Sequence, residues 1–223
     1  MSSLALFDLD HTLLPIDSDY EWSSFLARIG AIDGEHYQRE NRRYYEAYVA
    51  GTLDIQEFLR FALAPLAAHP RAELDAWHQR FMREVIEPNL RPAARALVDE
   101  HRARGDMLVM VTATNRFVTA PIARAFGIGH LVATDIDETP DGRFTGAPRG
   151  TPSFREGKIA CTEAYLEARG LSFADFDDSV FYSDSANDIP LLERVDHPVA
   201  TNPDPRLEQH ARERGWRILH LFR

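Results

Sequence analysis

The stretch "LALFDLDHTLL", residues 4 to 14, runs four apolar residues into Asp8 and then, one residue later, reaches Asp10. A carboxylate is costly to bury unless it is paired or binds a metal, so these two acids either mark a surface or hold something positive. A second acidic group follows another apolar run in "YSDSANDIPLL", residues 182 to 192, where Asp184, Asn187 and Asp188 stand close together. Thr112 ends "MLVMVTAT", and a hydroxyl or a helix-starting N–H there can donate to a phosphate oxygen. Lys158, in "REGKIACTEAY", is a cation within reach of such a cluster if the fold brings it there. Each has an ordinary alternative: a helix cap for Thr112, Asp184 and Asp188, a solvated helix lysine for Lys158. Taken together they form an oxygen-only donor set, which suits Mg²⁺, with a lysine beside it to face an anion.

The elements that must position these residues are readable from the pattern. "SLALFDL", "MLVMVTAT" (107–114) and "SVFYSDS" (179–185) are continuous apolar runs, as expected of strands covered on both faces. "GHLVATDI" (129–136), "HPVAT" (197–201) and "RILHLF" (217–222) are shorter or weaker strand candidates. Helical patterns lie between them: 91–105, with Pro92 early and Gly105 at the end; 116–127; 156–170; "NDIPLLERV"; and "PDPRLEQHARERG". Strand and helix alternating from residue 91 onward predict an α/β fold with a parallel sheet. In such a sheet ligands bind at the carboxyl ends of the strands, where Asp8 and Asp10 fall.

Residues 15 to 90 differ. Four helical patterns fill them, no strand competes, and prolines flank the block at 15, 88 and 92. The division expected is a core of residues 1–14 and 91–223 with a helical insert, 15–90, after the first strand.

Bulk properties narrow the classes. With 223 residues, 44% of them hydrophobic and 27% charged, the chain is that of an ordinary globular protein. A net charge of −10 argues against a general nucleic-acid binder. No apolar run is long enough to span a membrane, and the N-terminus lacks the basic region of a secretion signal. The one cysteine, Cys161, fits a reducing cytoplasm and reads as a packing residue. "GTPSFREGKI" looks like a phosphate-binding loop, but six residues rather than the four of that motif separate Gly150 from the Gly157-Lys158 pair, and Ile159 lacks the hydroxyl. The nine histidines show no zinc spacing. Arg39, Arg42 and Arg43 read as a solvated helix face.

An Asp-x-Asp ending strand one, a Thr ending a second strand, a Lys on a later helix and then an acidic strand end: this order resembles the haloacid dehalogenase superfamily of phosphatases. The helical block matches the cap of its phosphoserine-phosphatase-like subgroup. The resemblance implies a Rossmann-like parallel sheet core with helices on both faces and an all-helical cap inserted after the first strand. It implies that Asp8 is the nucleophile, that Asp10 is the general acid and base, and that Asp8, the Asp10 carbonyl and Asp184 hold Mg²⁺. Asn187 and Asp188 then serve the metal's surroundings, while Thr112, Ala113 and Lys158 bind the phosphoryl oxygens. The resemblance also implies a small phosphorylated metabolite as substrate. An acidic residue at position 10 points to phosphoryl transfer rather than dehalogenation.

Three departures stand out. Thr112-Ala113-Thr114 replaces the subgroup's Ser-Gly-Gly, and Ser183-Asp184-Ser185 its Gly-Asp-Gly, changes expected to crowd the pocket. In the cap, Asp17 stands where a substrate-facing Glu is usual, and Ala62 where a carboxylate-binding Arg is usual, with Arg60 two positions away. The absence of that Arg, and the aromatic residues Tyr20, Trp22, Tyr44, Tyr45, Tyr48, Phe58 and Phe61, favour over phosphoserine a flat or apolar leaving group whose positive charge, where it has one, faces Asp17, such as that of histidinol phosphate. Most of the aromatics are expected in the cap's own core. The rivals are a receiver-like phospho-accepting domain, which is about half this length and has no helical block, and an inactive binding module on the same fold.

Overall fold

The computed structural model describes residues 3–222. Its sheet has seven strands: β1 (Leu4–Phe7), β2 (Met107–Asn115), β3 (His130–Glu138), β4 (Phe144–Arg149), β5 (Ser179–Ser183), β6 (His197–Thr201) and β7 (Arg217–Leu219). They lie in the order β4-β3-β2-β1-β5-β6-β7, parallel except for the β3–β4 pair. The expected α/β fold is present. The chain leaves β1 toward β2 on one side and returns to β5 on the other, so β1 is the switch point where the crevice opens. Phe7 pairs with Met110 and Tyr182, and the Asp8 N–H donates to the Tyr182 carbonyl at 2.9 Å. The strand therefore delivers Asp8 directly beyond its last residue.

Strand β4 is absent from the sequence expectation. Its burial alternates between one buried residue and exposed or half-buried ones, the look of an exposed loop. It folds back on β3 and seats on the helical block: Gly146, at φ +81, meets the Ala67 methyl, and the Arg71 guanidinium lies 4.4 Å from the centre of the Phe144 ring.

Four helices fill the block after β1, and no strand falls within residues 15–90: α1 (Ser18–Arg28), α2 (Gly34–Ala50), α3 (Ile55–Ala68) and α4 (Arg71–Phe81). Asp17, Asp33 and Asp54 cap the first three with their carboxylates. The expected fourth helix loosens after Phe81 into a π-helical segment, Met82–Ile86, and a single 3₁₀ turn, Glu87–Asn89. The rest of the chain supplies α5 (Pro92–Arg104), α6 (Arg116–Ala125), α7 (Glu156–Glu167), α8 (Ile189–Leu192) and α9 (Pro205–Arg214). One apolar cluster runs from Phe7, Met110 and Tyr182 on one face of the sheet through Trp22, Phe25, Leu63 and Phe81 of the block, so the helices pack directly on that face. The other face carries Leu6, Val109 and Phe181 against Leu166, Leu191 and Leu207.

Candidate active site

Asp8 is buried, with Oδ1 2.8 Å from Lys158 Nζ and Oδ2 3.3 Å from the Thr12 hydroxyl. Lys158 reaches it from the first turn of α7, an entry that the backbone forces. Arg155 takes φ +51 there, and a Cβ on Gly157 would stand 2.2 Å from the Pro152 carbonyl oxygen, so only glycine fits beside the lysine. The same Nζ lies 2.6 Å from Asp188 Oδ2, which also accepts from Ser183 Oγ at 2.7 Å. Burial alone would lower the lysine's affinity for its proton. Asp188 and Asp8 outweigh it, and Lys158 is held more firmly charged than a free lysine.

Asp184 follows β5 and accepts from the Thr12 hydroxyl at 3.1 Å. Thr12 has one proton, so it serves Asp8 or Asp184 but not both at once. Burial pushes the Asp184 carboxyl well above the usual carboxylate range, and Asp8 and Asp188 push it further; Asp188 is raised as well, by burial first. Three carboxylates thus share one lysine in a desolvated place. A hard dication relieves that excess, and the donors are all oxygens, so the residues fit Mg²⁺. Among the described residues no three or more His, Cys, Asp or Glu side chains are arranged to hold a metal ion by themselves. Mg²⁺ commonly takes one or two carboxylates plus carbonyl, water and substrate oxygens.

Asp10 is clamped on both oxygens: the Ser18 N–H donates to Oδ1 at 2.7 Å and the Thr114 hydroxyl to Oδ2 at 2.9 Å. Burial raises its pKa well above the usual range, Asp17 raises it further, and the Ser18 hydrogen bonds offset part of this. A proton donor working near neutral pH needs a shift in that direction.

The C-terminal end of α2 lies against this cluster. The Tyr48 hydroxyl donates to Ser185 Oγ at 2.7 Å. The carbonyls of Tyr48, Val49 and Gly51 at this helix end accept from Asn187 Nδ2, Arg206 Nη1 and Arg155 Nη2 at 3.3, 3.3 and 2.5 Å. Burial, then Asp184 and Asp188, push the Tyr48 hydroxyl well above its ordinary pKa, which keeps it a neutral donor. At the N-terminus of α1, Asp17, Asp19 and Glu21 make no ion pair with a basic residue among the described residues. Asp19 accepts from the Asn115 amide at 3.3 Å, and burial together with Asp17 pushes it up to about 7. Burial and Asp17 raise Glu21 as well.

The model of the haloacid dehalogenase-like hydrolase family matches residues 5–193. The chain belongs to that family. A histidinol-phosphatase of Neisseria meningitidis serogroup C (strain 8013) is 43% identical over 221 residues, covering 99% of this chain and all of that one. A phosphoserine phosphatase of Mycobacterium tuberculosis (strain ATCC 25618 / H37Rv) is 32% identical, covering 98% of this chain and 70% of its own. Among solved structures, a Bordetella pertussis Tohama I protein of unknown function superposes with a TM-score of 0.94 at 53% identity, each chain covered completely. A substrate-bound phosphoserine phosphatase superposes at 0.70 with 19% identity over 98% of this chain and 93% of that one, a likeness of fold. This haloacid dehalogenase-like hydrolase is a phosphomonoesterase, and the receiver-like and inactive readings are set aside.

Within the phosphatase, the residues singled out by sequence divide. Asp8, Lys158, Asp184 and Asp188 are joined by hydrogen bonds or by mutual charge, and Asp10 lies at the same edge. Thr112 is buried, its Oγ1 accepting the Thr114 N–H at 3.2 Å, and the Ala113 carbonyl accepts from Thr134. Asp188 anchors Lys158, and Asn187 ties Arg155 to the α2 terminus; neither hydrogen-bonds Asp184. Asp17 spends Oδ1 on the N–H groups of Asp19 and Tyr20 as the α1 cap. Arg60 is exposed, because the inward positions of α3 on either side of it belong to Leu59 and Leu63. Trp22 packs with Phe25 and Phe81, Tyr44 with Phe58 and Phe61, and Tyr20 and Tyr45 are exposed. Of those seven aromatics, Tyr48 has its hydroxyl on the catalytic edge. Sequence reasoning missed Thr12, Thr114, Ser183, Arg155 and Asp19. Thr114 and Ser183, which stand at glycine positions of the subgroup, donate their hydroxyls to Asp10 and Asp188.

Proposed function

We propose that this phosphatase hydrolyses the phosphate ester of a small alcohol bearing a positive charge, histidinol phosphate being the compound that fits best. The observation that carries this reading is the opposition of charge across the site. Lys158 marks the phosphate end, whereas Asp17, Asp19 and Glu21 at the start of α1 have no basic partner among the described residues. A cationic leaving group would supply one. A phosphoserine carboxylate would meet those acids without the Arg fork that such a group calls for, since Ala62 and the outward Arg60 offer none. The histidinol-phosphatase relative supports the same choice.

In this mechanism an oxygen of Asp8 bonds to phosphorus, the ester P–O bond breaks, and the Asp10 proton passes to the leaving oxygen, giving the free alcohol and an aspartyl phosphate. Asp10 then takes a proton from water as the water oxygen bonds to phosphorus. The bond to Asp8 breaks and inorganic phosphate leaves. Lys158, with Thr112 and the Ala113 backbone, faces the phosphoryl oxygens. Asp8, the Asp10 carbonyl and Asp184 would hold Mg²⁺, which when bound supplies positive charge to offset the repulsion between nucleophile and phosphate. We place residues 15–90 as the cap that excludes water through the α2 terminus. A reducing compartment such as the cytoplasm suits the lone Cys161 and the metabolite substrate. The test is kcat/KM across a panel of phosphorylated metabolites with Mg²⁺ present. Histidinol phosphate should exceed phosphoserine at least about tenfold, one charge-assisted contact. Phosphoserine leading the panel by that margin overturns the reading.

A further inference from the structure

We infer that Thr114 is the positioning residue that sets Asp10 for proton transfer, an inference resting on the acid–base reading of Asp10 above. Each oxygen of Asp10 has one donor. Oδ1 takes the Ser18 N–H at 2.7 Å, a backbone group that opens α1. Oδ2 takes the Thr114 hydroxyl at 2.9 Å, and Thr114 belongs to β2, the parallel neighbour of β1. The carboxyl is therefore clamped between helical block and sheet. The clamp is itself anchored, because the Thr114 N–H donates to the buried Thr112 Oγ1 at 3.2 Å.

The two donors are not equivalent. A backbone N–H only donates, so Oδ1 is occupied as an acceptor whether Asp10 carries a proton or not. We assign the transferable proton to Oδ2, the oxygen held by a side chain. That oxygen has two lone-pair sites; Thr114 fills one and leaves the other to face the leaving oxygen. The Thr114 hydroxyl donates to the first site whether or not the second carries the proton, so it keeps its partner through both half-reactions. Alanine or glycine there would leave Oδ2 without a protein donor and free the carboxyl to rotate, and misdirected proton transfer is slow transfer.

The experiment compares esters by leaving group. An alkyl phosphate releases an alkoxide that must be protonated as the bond breaks, whereas p-nitrophenyl phosphate releases a stable anion. The ratio of kcat/KM for the two esters reports proton delivery in the first half-reaction, and a general loss of structure does not move it. Thr114→Val, nearly isosteric, should lower kcat/KM for the alkyl ester at least about tenfold more than for the aryl ester, the size of one charge-assisted hydrogen bond. Thr114→Ser should restore the wild-type ratio. Equal losses on both esters, or none, overturn the inference. If Thr114→Val does not fold, Thr114→Ala against Thr114→Ser carries the same comparison. Asp10→Asn separates the two levels. Wild-type turnover in that variant overturns the acid–base reading itself; an inactive Asp10→Asn with an unaltered ester ratio in Thr114→Val overturns only the role of Thr114.

Discussion

The phosphate end and the α1 end of this site are built on opposite principles. At the phosphate end the carboxylates meet other groups of the chain: Asp8 has Lys158 and Thr12, Asp188 has Lys158 and Ser183, Asp184 has Thr12, and all sit just past strand ends or in the first turn of a core helix. At the α1 end the acids have amides and backbone N–H groups for company and no cation. Reactions of one phosphoryl group need one fixed constellation, so its members hold one another. Leaving groups differ from enzyme to enzyme, and on the proposed reading the α1 acids keep their charge unmatched until substrate arrives. Damage at the first end should therefore abolish turnover of every ester, whereas damage at the second should change the ranking of esters.

The largest effect expected is that of Asp8→Asn. Turnover of all esters should fall by about 10⁴-fold or more, as for removal of a nucleophile, while circular dichroism and the melting temperature stay close to wild type. Substantial turnover in a clean preparation would remove Asp8 from the mechanism. Next comes the metal. EDTA should cut activity by about a hundredfold or more and Mg²⁺ should restore it, the scale of a lost electrostatic stabiliser; Ca²⁺ should inhibit, since its looser shell disturbs in-line geometry. Full rate after chelation, read by phosphate release, would sever Asp184 from its assigned place.

The smallest effect tests the other end. Asp19 titrates near 7 in the folded protein against 3.8 in a free chain. The folded state therefore holds a proton that the unfolded chain has released, and stability falls as pH rises from about 4 to about 7, then levels. Asp19→Asn should abolish that slope. It should match wild type near pH 3 and exceed it by about 1 kcal/mol at pH 8, a modest figure because Asp19 keeps some solvent contact. Melting curves across pH read it. The same variant should reduce the preference for a cationic over a neutral ester about tenfold. An unchanged preference would make Asp19 a cap-docking residue and leave the α1 end without its assigned partner.

How much was legible follows the same divide. The strands β1, β2 and β5 were plain because parallel strands buried on both faces read as unbroken apolar runs. Their ends named Asp8, Asp10 and Asp184, and the family resemblance supplied the order. Strand β4 was not plain, since an edge strand with one buried face and turn residues around it reads as loop. Nor was the outward turn of Arg60, because helix phase is fixed by what α3 packs on, here Leu59 and Leu63.

The sequence by itself determined the parallel sheet, the helical block after β1, and the acids at the strand ends, because apolar periodicity and strand-end position are local properties. Only the tertiary structure decided that Thr12 stands within reach of both Asp8 and Asp184, that Thr114 and Ser183 donate to Asp10 and Asp188, and that the end of α2 lies on Ser185 and Asn187. Those contacts join residues up to 172 positions apart, and a hydroxyl's partner is set by where the fold stops its oxygen, which no spacing along the chain encodes.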